Sequence, residues 1–334
     1  MQQILFIELL GGIGDVLIAL SAIQALGRSH NQAKMTVLTF APGGLLLEHD
    51  PFIERVVYAD KHNVRQAIEQ LLSEQTFDLI VSDTNYDRID QLISSRADRV
   101  VSNLWRSPPP NQFVSDRFTQ ILLSEGLILE SAILPPKLYL TPEEYQAARE
   151  KLAGLAPPLV VLCPDAGMKI KRWDERNFIQ LGQRLEAAIV VLVGSDREQA
   201  ALISDQINNA KLWELGTLRE LAAMLSQVDL MIASDTGAAR VAAAVGTPTI
   251  TLFGPSWYER YGQPQPHVNL QGYLNCPERR IENFTVQSCW YSGECSVPTE
   301  LRSAQSADWA TCVDEISVDR VMAVATQLLE AQSI

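Results

Sequence analysis

Apolar runs long enough to cross a bilayer are missing from this chain; stretches such as Ile189 to Val193 and Leu159 to Leu162 are strand-sized, so no transmembrane helix is expected. The first residues lead directly into Ile4-Leu-Phe-Ile7 without a basic leader or a small-residue cleavage site, which argues against a secretory signal and for a cytoplasmic protein. Positive charge is in short supply. Lys and Arg number 27 against 40 Asp and Glu, and the net charge of -13 disfavours a nucleic acid partner, whose binding rests on phosphate neutralisation. Histidines number four and no Asp-x-Asp occurs, so a divalent metal has no evident ligand set; no metal and no cofactor are expected. Nucleotide fingerprints are incomplete. Gly12-x-Gly14 is followed by Leu17 where a dinucleotide fold needs its third glycine, the strand Met35 to Phe40 does not end in an acid, and no Gly-Lys-Ser/Thr completes a P-loop. Of the five cysteines, Cys276, Cys289, Cys295 and Cys312 lack the paired Cys-x-x-Cys spacing of a zinc ribbon. Reduced thiols are expected, with Cys289 and Cys295 the pair to test for a bond. Internal repeats and low-complexity tracts are absent too.

What is present is an alternation of strand and helix patterns with ample apolar residues for two α/β cores. The most organised stretch runs from Leu230 to Pro255. Leu230 to Ala233 suits a buried parallel strand, Ser234-Asp-Thr-Gly237 supplies capping side chains, the Ala-rich run from Ala238 to Val245 is helical, and Gly246 with Pro248 ends it before the β-branched run Thr249 to Phe253. The N–H groups of Thr236, Gly237 and Ala238 would lie unpaired at a helix start, where positive potential can hold a phosphate; Ser234 and Asp235 can equally be simple caps. At the N-terminus, strand Gln3 to Ile7 is followed by the small-residue loop containing Gly12 and Gly14, and then by a helix from Asp15 to about Arg28. Asp15 reads as an N-cap from the residues alone. Further patterns predict strands near Val56, Phe77 to Val81 and Val100, and helices over 64–74 and 116–125, hence a parallel sheet covered on both faces. Asp83-Thr84-Asn85 falls at the carboxyl edge of that sheet and, with Arg88, is a candidate for acceptor contacts, although solvated arginine is the plainer reading of Arg88.

The string Ser-Asp-Thr-Gly, then Gly-Thr-Pro and Leu-Phe-Gly-Pro, resembles the donor-site signature of the ADP-heptose:lipopolysaccharide heptosyltransferase family of inverting glycosyltransferases. One position departs from it: Arg240 stands where the family usually has His. Gly14-Asp15-Val16-Leu17 is similar to the family's opening Gly-Asp-Val-Leu, whose Asp is the proposed catalytic base, and the resemblance sets that role for Asp15 against the N-cap reading. Lys171-Arg172-Trp173 matches the family's Lys-x-Trp, whose lysine contacts the donor phosphate; an ammonium there would stabilise the departing diphosphate. Ala166 and Gly167 take positions where some relatives carry threonine, so contacts there would come from backbone N–H groups. Glu198, in Gly194-Ser-Asp-Arg-Glu198, resembles the residue that grips the ribose hydroxyls. Asp235 would be repelled by a diphosphate and is expected to cap its helix or accept from sugar hydroxyls.

The resemblance implies the GT-B architecture, two Rossmann-like parallel-sheet domains facing each other across a cleft. Expected boundaries are an acceptor-side domain over 1–140, a linker region over 141–158, a nucleotide-sugar-binding domain over 159–315, and a final helix within 316–334 that packs back on the first domain. The implied activity is metal-independent, inverting transfer of a sugar, heptose by resemblance, from a nucleotide-sugar donor, most simply an ADP-sugar, to a glycolipid or polysaccharide hydroxyl. The acceptor would draw the protein to the inner face of the cytoplasmic membrane. Two other readings remain open: a nucleotide-sugar-binding scaffold without catalysis, with Arg240 as its support, and a nicotinamide-dependent enzyme, against which the broken fingerprint stands.

Overall fold

The computed structural model describes residues 1–106, 109, 111–214, 216–281, 286–298 and 312–332. It comprises two compact units, Met1–Thr141 and Pro142–Ile334.

In the first unit, strands β1 (Gln3–Ile7), β2 (Lys34–Phe40), β3 (Arg55–Ala59), β4 (Phe77–Ser82) and β5 (Ala97–Val101) form a sheet in the order β3-β2-β1-β4-β5, with every pairing parallel. The central strand β1 is a continuous apolar run because both faces are covered. Ile4 to Ile7 are fully buried, and helix Ile13–Ser29 is buried along almost its whole length from Val16 to Gly27. Ile68, Leu71, Ile89 and Ile93 join Leu5, Ile7 and Leu38 in one core cluster. The strand order reverses between β1 and β4, and that switch point is where an open α/β sheet leaves a crevice for ligands.

The second unit repeats the plan. Strands β6 (Leu159–Cys163), β7 (Ala188–Leu192), β8 (Lys211–Trp213), β9 (Leu230–Ser234), β10 (Thr249–Phe253) and β11 (Val268–Gln271) lie in the order β11-β10-β9-β6-β7-β8, again parallel throughout, with the switch between β6 and β9. Edge strands β8 and β11 give no sequence signal, since one has three residues with Lys211 exposed and the other carries Asn269 and Gln271. Helix Gly237–Ala244 ends where expected, with Gly246 at φ +93°, a left-handed conformation that a side chain would disfavour.

The region 141–158 holds helix Pro142–Leu152, which packs on helix Leu218–Leu225 and is fastened by Arg219 to Glu144 at 2.5 and 2.6 Å. One expected placement is corrected. The final helix, Val318–Gln332, belongs to the second unit. It packs on helix Glu175–Arg184, β9 and β10, and its buried Val318, Val321 and Ala325 join the second core beside Leu181, Ile232 and Ile250. An amphipathic helix goes where its apolar stripe is covered, and this sheet face had room.

Candidate functional site

At the second switch point two loops meet, one after β6 and one after β9. The first carries Lys171-Arg172-Trp173, and each residue has a separate task. Trp173 is fully buried, donates its indole N–H to the Ile316 carbonyl at 3.0 Å and meets Phe178 edge-on at 5.0 Å, so it anchors the loop in the core. Arg172 pairs with Asp165 at 2.5 Å and donates to the Ala166 carbonyl and the Ser195 hydroxyl, closing the loop on itself. Lys171 points the other way. Its Nζ lies 2.7 Å from Asp235 Oδ2 and 4.8 Å from the centre of the Trp290 ring.

Asp235 therefore does not cap its helix. The cap position belongs to Thr236, while the Asp235 carboxylate receives Lys171 and the Ser256 hydroxyl at 2.6 Å. Burial opposes its ionisation, but the charges of Lys171 and Arg240, with the two hydrogen bonds, outweigh burial and hold the carboxyl below its ordinary range. Lys171 and Asp235 side chains are only 15% and 12% exposed, so water screens the pair little. Arg240 donates to the Tyr261 carbonyl and also adds to the positive field at Asp235. No hydrogen bond outside the helix occupies the N–H groups of Thr236, Gly237 and Ala238 among the described residues.

Of the other expected donor residues, Ala166 is buried and takes Asp165 Oδ1 on its N–H at 2.8 Å, whereas Gly167 is exposed and faces open space. Glu198 is an exposed residue in the first turn of helix Arg197–Asp205. Asp165, Ser256, Tyr261 and Trp290 were missed by sequence reasoning. Asp165 had a signal in its place directly after a buried strand; Trp290, from a distant segment, had none.

In the first unit, Gly12 is the N-cap of helix Ile13–Ser29, and Asp15 sits one turn in, its Oδ2 accepting the Gly12 N–H at 3.0 Å. A Cβ on Gly12 would come within 2.6 Å of that oxygen, so the glycine makes room for the carboxylate. Gly14 is the second residue of the helix. Asp83 is corrected as an acceptor contact: its side chain is 0% exposed and faces inward, where Oδ1 accepts the Leu9 N–H at 3.3 Å. Asn85 and Arg88 are exposed, Asn85 preceding and Arg88 ending the short turn Tyr86–Arg88 at the same sheet edge. Glu8, absent from the sequence-derived candidates, is also fully buried there and receives the Thr39 hydroxyl at 2.5 Å.

All five cysteines are free thiols, Cys289 and Cys295 included. Cys276, Cys289, Cys295 and Cys312 line one small cavity with Ile170 and Pro255, behind the Lys171 loop. Among the described residues no group of three His, Cys, Asp or Glu is placed to hold a metal ion, and no helix is long and apolar enough to cross a membrane.

A parallel sheet repeated in both units, with its polar loops gathered over each switch point, is the construction of the GT-B glycosyltransferases. Within that class the chain belongs to glycosyltransferase family 9, the heptosyltransferase family, which matches residues 93–285. It is 26% identical over 274 residues to lipopolysaccharide heptosyltransferase 3 of Escherichia coli, a match spanning 72% of this chain and 80% of that protein. Among solved structures it is similar to a family 9 glycosyl transferase from Veillonella parvula DSM 2008, with a TM-score of 0.79 at 18% identity over 99% of this chain and 98% of that one. It is also similar to the E. coli heptosyltransferase WaaC with ADP-2-deoxy-2-fluoro heptose, with a TM-score of 0.64 at 14% identity over 99% and 100% of the two chains.

Proposed function

We propose that this glycosyltransferase moves a sugar, heptose by likeness to its relatives, from an ADP-sugar to a hydroxyl of a glycolipid or polysaccharide, with inversion at the anomeric carbon. The observation that carries the reading is the Lys171–Asp235 pair beside the helix start at Thr236-Gly237-Ala238. Lys171 and Arg240 bring two positive charges to one carboxylate, and the helix start adds about half a charge more. The surplus suits a diphosphate. Asp235 holds the ammonium in place before the donor arrives, and Lys171 then shares it with the leaving group as the glycosidic bond breaks. Trp290 offers a flat face beside the same ammonium.

Asp15 takes the proton from the acceptor hydroxyl as that oxygen attacks the anomeric carbon. Its anchor on the Gly12 N–H fixes the carboxylate at the start of the helix. Glu198 holds the ribose, and the Gly167 backbone approaches the phosphates with no neighbour to block them, while the Ala166 N–H is held by Asp165. Asn85 and Arg88 remain acceptor contacts in this reading. The lysine, the arginine and the helix start together carry the charge that a metal supplies in other transferases, so transfer proceeds without a divalent ion. The acceptor brings the protein to the inner face of the cytoplasmic membrane.

A thermal-shift panel with ADP-, GDP-, UDP- and dTDP-sugars, each repeated in EDTA, tests the donor assignment. A ligand that binds only the folded state at about 100 times its Kd adds about 2.7 kcal/mol to stability. The expected result is a shift with the ADP-sugar that EDTA leaves intact; a shift with a different nucleotide alone makes Arg240 the selector and overturns the ADP assignment.

A further inference from the structure

Glu8 and Asp83 are the first residues after β1 and β4, neighbouring strands at the first switch point. The register of β1 and β4 sets them side by side, with Ile7 opposite Ser82 and the Asp83 N–H donating to the Ile7 carbonyl at 3.0 Å. Both side chains are 0% exposed. Glu8 Oε1 accepts the Leu10 N–H at 3.3 Å and Oε2 accepts the Thr39 hydroxyl at 2.5 Å. Asp83 Oδ1 accepts the Leu9 N–H, while Oδ2 is buried without a hydrogen-bond partner among the described residues.

The charged and titratable groups that face this pair are mostly acidic. Asp15 approaches from helix Ile13–Ser29 and interacts with both carboxyls, and Tyr86 and Asp87 lie on the turn after β4. Lys61 lies over the Phe40 ring at 5.7 Å, and among the described residues no cation pairs with either carboxyl. Two buried carboxyls without a cation cannot both ionise. The unpartnered Asp83 Oδ2 is the natural seat of the retained proton, which leaves Glu8 to carry the variable charge. Burial, with Asp15 nearby, pushes Glu8 up to about 7 despite its Thr39 bond, and burial with Glu8 holds Asp83 well above its ordinary range.

We propose that Glu8, backed by a protonated Asp83, is a positioning residue for proton transfer: its ionised carboxylate at the switch point raises the proton affinity of Asp15 and so strengthens the base. This rests on the assignment of Asp15 as the base. The acceptor proton passes to Asp15, the oxygen's electron pair forms the new glycosidic bond, and the old bond's pair leaves with the diphosphate. Glu8 exchanges nothing with substrate. It fixes how readily Asp15 receives that proton, and the gain is present above neutral pH and absent below it.

The test is a carbon-13 carboxyl NMR titration of the full chain, with Asp15 assigned by its loss in Asp15→Asn. The Asp15 signal should show a second inflection near neutral pH that disappears in Glu8→Gln. Thr39→Val, which removes a bond that favours ionised Glu8, should move that inflection upward. A single Asp15 titration indifferent to both substitutions overturns the proposal, whether or not the enzyme is active. In transfer assays, an acid limb of kcat that is the same in Glu8→Gln and the unaltered chain overturns it while leaving Asp15 as the base; transfer unimpaired in Asp15→Asn overturns both.

Discussion

Single side chains decide the chemistry, and four substitutions separate their roles. Asp15→Asn keeps an acceptor for the Gly12 N–H but cannot take a proton, so kcat should fall by about 10²–10⁴-fold while donor affinity, read by calorimetry, stays within a factor of about two. Lys171→Ala should weaken ADP-sugar binding and lower kcat by about 100-fold. It also strands the Asp235 carboxylate in a site 12% exposed, with Arg240 the remaining charge. The cost is about 2–3 kcal/mol by urea denaturation, and Asp235→Asn in the same background should recover much of it. Glu8 yields a stability prediction with a definite sign. Its carboxyl stands at about 7 in the folded protein against 4.5 in the open chain, so the folded state holds an extra proton between those values and loses stability as pH rises through them, by up to about 1.4 kcal/mol per pH unit. Glu8→Gln and the unaltered chain should melt alike near pH 4.5, with the variant gaining a relative advantage by pH 8.

Helices, strands and loops show how the site is held and how much of it could be read beforehand. The Lys-Arg-Trp loop is fixed from both ends, by Trp173 in the core and by Arg172 on Asp165. Trp173→Ala should destabilise the second unit by about 3–5 kcal/mol, measured as the lowering of that unit's unfolding transition, and should weaken donor binding with it. Gly194→Ala would place a Cβ 2.1 Å from Asp165 Oδ2 and push that carboxylate off Arg172; a loss of about 1–3 kcal/mol is expected. The strands β1, β6, β9 and β10 and the helix ending at Gly246 were legible because apolar runs and caps are local signals. The C-terminal helix was legible as a helix but misplaced, since its partners are chosen by packing with residues far away in sequence. At the site, Asp15, Lys171 and the Thr236–Ala238 turn stood out as motifs. The Lys171–Asp235 bond joins positions 64 residues apart, Glu8 and Asp83 meet only because β1 and β4 are neighbours, and Trp290 arrives from a segment with no strand or helix pattern, so none of these contacts was visible before the fold.

Across the whole molecule, the loops of the two units differ in charge. The second presents positive charge and an open helix start at its switch point, the first a set of carboxylates at the corresponding place, and each is built on the same strand order. A net charge of -13 makes the positive surplus around Lys171 and Arg240 a local exception, which favours a small anionic ligand over a polyanion. The central claim is that an ADP-sugar binds there without a metal. Isothermal titration of the full chain with ADP-heptose in EDTA, with NAD as the rival ligand, tests it most directly. Saturable binding of one ADP-heptose per chain, retained in Asp15→Asn and weakened in Lys171→Ala, is the predicted result; binding of NAD alone, or ADP-heptose binding that EDTA abolishes, would contradict the account.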